Sequence, residues 1–74
     1  MTNDELIATL AAATIINDDR DLTDFRALDA HDQTLLIIDY RDEFASSPFD
    51  MLADAKIDER MINLILDRLH SITA

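Results

Sequence analysis

The chain contains no glycine and a single proline, Pro48, in 74 residues. Tight hairpins rely on residues that accept positive φ, so a chain without glycine is steered away from β-meanders and toward helices joined by polar caps. The residue pattern agrees. No stretch alternates apolar and polar residues as a half-buried strand does, whereas a cap residue followed by helically spaced apolar residues recurs along the chain. The expectation is an all-α fold: a compact bundle of about five helices, three longer and two short, with residues 1–74 forming one domain.

The caps place the elements. Thr2, with Glu5 three residues later, opens a helix over Asn3 to Ile15 whose apolar face is Leu6, Ile7, Leu10 and Ala13. The segment Asn17-Asp18-Asp19-Arg20-Asp21 ends it, with Asn17 in the left-handed position usually given to glycine, and Asp21 caps a short helix carrying Leu22, Phe25 and Leu28. Asp29, with Asp32 three residues on, opens a helix running to about Phe44. It is apolar on more than one side, through Leu36, Ile37, Tyr40 and Phe44 and again at Leu35 and Ile38, which predicts a central position. Ser47-Pro48 is a cap followed by a first-turn proline and starts a short helix through Phe49, Leu52 and Ala53. Asp58, flanked by the staple pair Ile57 and Ile62, opens the last helix, whose stripe of Met61, Ile62, Ile65, Leu69 and Ile72 is widened by Leu64 and Leu66.

At this length the core is modest, burying roughly 60% of the surface of the unfolded chain. With no cysteine there is neither disulfide nor thiolate metal site. The longest uninterrupted apolar run, Leu35 to Ile38, is far short of the roughly 20 residues that cross a bilayer, so no membrane association is expected. The acidic start Met1-Thr2-Asn3-Asp4-Glu5 lacks the basic opening of a secretory signal, which makes a cytoplasmic location the expectation.

Chemistry finds little purchase. Asn17, Asp19, Asp21 and Thr23 alternate as calcium ligands do, but Leu22 stands where the loop needs glycine and Leu28 where it needs a bidentate glutamate. His31 and His70 have no partner at metal-binding spacing, and Ser46, Ser47 and Ser71 have no base or orienting group in sequence context. Size, acidity and helix number resemble those of acyl carrier proteins, which hold phosphopantetheine on a serine in an Asp-Ser-Leu motif. This chain has no such motif and no serine before Ser46, so the likeness is one of composition and brings no cofactor. No catalytic, cofactor-binding or metal-binding residues are assigned, and the chain is read as a non-enzyme.

The remaining feature is acid: 16 Asp and Glu against 6 Lys and Arg, a net charge of -10. A field of that sign repels nucleic acid and attracts basic surfaces. On the third helix, at about 100° per residue, Asp32, Asp39 and Glu43 project within about 40° of one another with Asp42 beside them, an acidic ridge spaced to imitate a row of phosphates. The expected function is a non-enzymatic interaction module, an inhibitor or DNA mimic that presents Asp32, Asp39, Asp42 and Glu43 to a basic, nucleic-acid-binding protein, with Leu35 or Tyr40 as apolar anchor. Direct nucleic-acid binding is not expected. The alternative is an adaptor that forms a homodimer through the widened stripe of the last helix, using Ile57, Leu64, Leu66 and Ile72.

Overall fold

In the computed structural model, which describes residues 2–73, the chain is helical throughout and contains no strand among the described residues. The helices are α1 (Asn3–Ile15), α2 (Asp19–Ala27), α3 (Ala30–Asp39), α4 (Arg41–Ala45), α5 (Asp50–Ala53) and α6 (Glu59–Thr73). Three of the expected caps hold their helices: the Thr2 hydroxyl accepts from Glu5 N, Asp29 Oδ1 from Asp32 N at 2.8 Å, and Asp58 Oδ1 from Met61 N at 3.0 Å. Each satisfies a first-turn N–H that the helix itself leaves without a partner. The staple residues of α6 also pack as expected, Ile62 buried and Ile57 half-buried against the core.

The α1–α6 pair forms the centre of the bundle, with α3 packed on α6 and both α4 and α5 on α1. The face of α1 that makes this contact is not the one carrying its larger apolar residues. Ala8, Ala11, Ala12 and Ile15 are buried, whereas Leu6 and Ala13 are exposed and Ile7 and Leu10 only half-buried. Small side chains let two helix axes approach closely, and this closeness outweighs the area that the leucine face would have buried. Phe25, Ile37, Phe44, Leu52, Met61, Ile65 and Leu69 complete the core.

Five expectations are corrected. Asn17 is not left-handed, since none of the described residues has positive φ; Ile16 leaves α1 in extended conformation and Asn17 Nδ2 donates back to Thr14 O. The cap of α2 is Asp18, not Asp21, so the acidic run begins a helix rather than merely separating two. Asp18 Oδ1 accepts from Asp21 N while Asp21 Oδ2 accepts from Asn17 N, a reciprocal arrangement that fixes the turn. Helix α5 starts at Asp50, not Pro48, because the Ser47 hydroxyl accepts from Phe49 N and holds the Ser-Pro step as a turn ahead of the helix.

The expected single helix from Asp29 to Phe44 is divided at Tyr40, whose ψ of 2° departs from the helical value. Tyr40 N is shared between Leu36 O and Ile37 O, and Phe44 N resumes the ladder on Tyr40 O. The turn redirects α4 so that Phe44 is buried and α4 lies against α1 and α5. With Leu35 exposed and Leu36 and Ile38 half-buried, α3 flanks the α1–α6 pair rather than occupying the centre.

Candidate functional site

The acid concentrated on α3 and α4 begins as local helix chemistry. Of the 16 carboxylates, 12 stand at an N-cap or in a first turn, where the unpaired N–H groups and the helix dipole favour negative charge; the exceptions are Asp24, Asp39, Asp54 and Asp67. Asp32 belongs to the first turn of α3, and Asp42 and Glu43 to that of α4. Asp39 differs. It is the last residue of α3 and the residue before Tyr40, which starts α4; it caps neither helix, and it is exposed.

All four ridge residues are exposed, and among the described residues none of their carboxylates accepts a hydrogen bond or meets a Lys or Arg at ion-pair distance. The turn at Tyr40 ends the regular 100° progression. Asp32 and Asp39 therefore share a face of α3, while Asp42 and Glu43 follow from a separate helix. The one Lys or Arg of α3 and α4, Arg41, directs its guanidinium away from them: Nη2 donates to Ile57 O at 3.0 Å, tying the turn to the segment before α6.

Leu35, 42% exposed, lies one turn from Asp32 and one turn from Asp39 on the same face, so the surface reads acid, leucine, acid. Tyr40 is half-buried, packed on the core with its ring 6.2 Å from that of Phe44. Of the two anchor candidates, Leu35 is the accessible one. The residues considered for self-association divide similarly: Ile57, Leu64 and Leu66 are half-buried against the chain's own core, and Ile72 is 45% exposed.

The cleft between α1 and α6, lined by Glu5, Ala8, Leu64 and Arg68 among others, measures about 170 Å3. That is below the roughly 300 Å3 at which small-molecule sites begin, whereas a more open hollow on the outer side of α6, lined by Asp58, Glu59, Arg60, Asn63, Leu64 and Asp67, measures about 560 Å3.

Sequence reasoning missed Gln33, the buried polar residue of the core. Its Nε2 donates to Phe25 O and Leu28 O, both at 3.2 Å, and its Oε1 lies 3.0 Å from Nε2 of His70, whose ring is 5.9 Å from that of Phe25. One amide thus joins the end of α2 to α3 and α6. The available signal was its spacing, four residues before Ile37 on the face of α3 that turns inward. Comparison of the chain with protein-family models, with curated proteins and with solved structures finds no match.

Proposed function

We propose that the protein is a non-enzymatic binding module that presents the acid-leucine-acid face of α3, extended by Asp42 and Glu43 of α4, to a basic protein partner. The observation that carries this reading is Asp39. Capping and first-turn placement account for Asp32, Asp42 and Glu43 as parts of the fold, whereas Asp39, between the last turn of α3 and the Tyr40 start of α4, caps neither helix. A charge kept where it does not help the helix, one turn from an exposed leucine, is what a steered contact with a desolvated anchor requires. The partner class is a protein that itself binds nucleic acid, because carboxylates spaced along a helix can occupy a groove built for phosphates. In that groove the module acts as a competitive inhibitor. Self-association through Ile57, Leu64, Leu66 and Ile72 has less free surface in its favour, since Ile72 is the exposed member of that set.

Affinity capture from an extract of the source cells, with the parent and with Asp39→Asn, tests the reading. The expected result is a basic partner that is displaced by excess duplex DNA and retained less by Asp39→Asn, while the variant's thermal midpoint stays level or rises. Equal retention by the variant, or a partner that DNA does not displace, would contradict it.

A further inference from the structure

The net charge is unevenly distributed. Residues 18–54 carry 11 carboxylates and 3 arginines, and so hold -8 of the total -10. Helix α6 is neutral, with Glu59 and Asp67 balanced by Arg60 and Arg68. Its charges are also ordered. Glu59-Arg60 and Asp67-Arg68 are two acid-base steps placed symmetrically about the midpoint between Asn63 and Leu64, so a second α6 laid antiparallel on the first brings Arg60 opposite Asp67, twice over. A parallel pairing would set like charges together.

The spacing places these groups together on the helix. Arg60, Asn63, Leu64 and Asp67 are three, four and seven residues apart and lie along one face. Arg60, Asn63 and Asp67 are exposed and Leu64 half-buried, and with Glu59 they line one shallow hollow on the outside of the bundle. Within α6 no charge of either step has an opposite charge three or four residues away. Arg60 is 2.8 Å from Asp4 through Nη2, but 71% of its side chain remains exposed and the guanidinium has further donors to share.

We propose that this face of α6 is a homodimer surface, in which two copies meet antiparallel about a two-fold axis near Leu64, with an Arg60 to Asp67 pair on either side. The occupant is a second copy because the face is self-complementary in charge and the only strongly acidic region of the chain lies elsewhere, in residues 18–54. Exposed ion pairs are individually weak, so the dimer is a reversible one that weakens with salt. This surface is independent of the acidic face of α3.

Charge reversal tests it without any partner. By sedimentation equilibrium up to about 1 mM, the parent is expected to associate reversibly, whereas Arg60→Asp alone and Asp67→Arg alone remain monomers, since each sets like charges opposite each other across the axis. Mixed in equal amounts, the two variants regain opposite charges at both positions, and the expected result is a heterodimer at least ~10-fold tighter than either self-association. Restoration in the mixture also excludes misfolding of the single variants. A parent that stays monomeric, variants that associate as the parent does, or a mixture that does not associate would each overturn the proposal.

Discussion

Gln33 shows what one residue decides in a core this small. Its amide supplies donors to two carbonyls at the end of α2 and an acceptor to His70, so three elements meet at one side chain. Replacement by leucine preserves the volume but leaves Leu28 O and Phe25 O with fewer donors, a loss of about 1–3 kcal/mol. Urea unfolding of Gln33→Leu should therefore show a lower midpoint, and equal or greater stability would show that packing, rather than the amide, holds α2 in place. Residues whose role depends on their immediate neighbours were readable: Thr2, Asp29 and Asp58 cap as expected because a cap is a bond between a side chain and the backbone three residues on. Gln33 was not, because its partners lie five, eight and 37 residues away.

At the scale of elements, the type and order of helices follow from the missing glycine and the recurring caps, and the limits of α1 are those its cap and the Asn17 segment imply. Its buried face is not. A reading by hydrophobicity alone selects Leu6, Ile7, Leu10 and Ala13, whereas the close contact with α6 selects Ala8, Ala11, Ala12 and Ile15, a choice that depends on a helix more than 40 residues away. If that closeness is what organises the bundle, Ala11→Leu, which adds bulk at a fully buried position, should cost about 1–3 kcal/mol by forcing the helices apart. A thermal midpoint unchanged in Ala11→Leu would mean that the contact has slack. The break at Tyr40 was equally hidden, since no glycine or proline marks it, and it divides the expected ridge between two helices. Neutralising the ridge therefore acts on the fold unevenly: at Asp32, Asp42 and Glu43 it weakens first turns, and at Asp39, which caps neither helix, it does not.

For the whole molecule, the Cα radius of gyration of 11.3 Å is that of a compact chain of this length, about 11 Å, so the bundle is closed around its own core. Most of its charge lies in residues 18–54, and α6 is neutral, which gives the chain two electrostatically different surfaces. The first suits long-range attraction and the second short-range self-matching. The claim that the acidic surface is for binding is tested most directly by the rate at which the captured basic partner associates with the parent and with a variant carrying Asp32→Asn, Asp39→Asn, Asp42→Asn and Glu43→Gln, at low and high salt. Steering predicts an association rate at least ~10-fold slower for the variant at low salt, a dissociation rate little changed, and a gap that closes as salt rises. Association rates that match at both salt concentrations would contradict the account and leave the four carboxylates as helix starts and solvated surface.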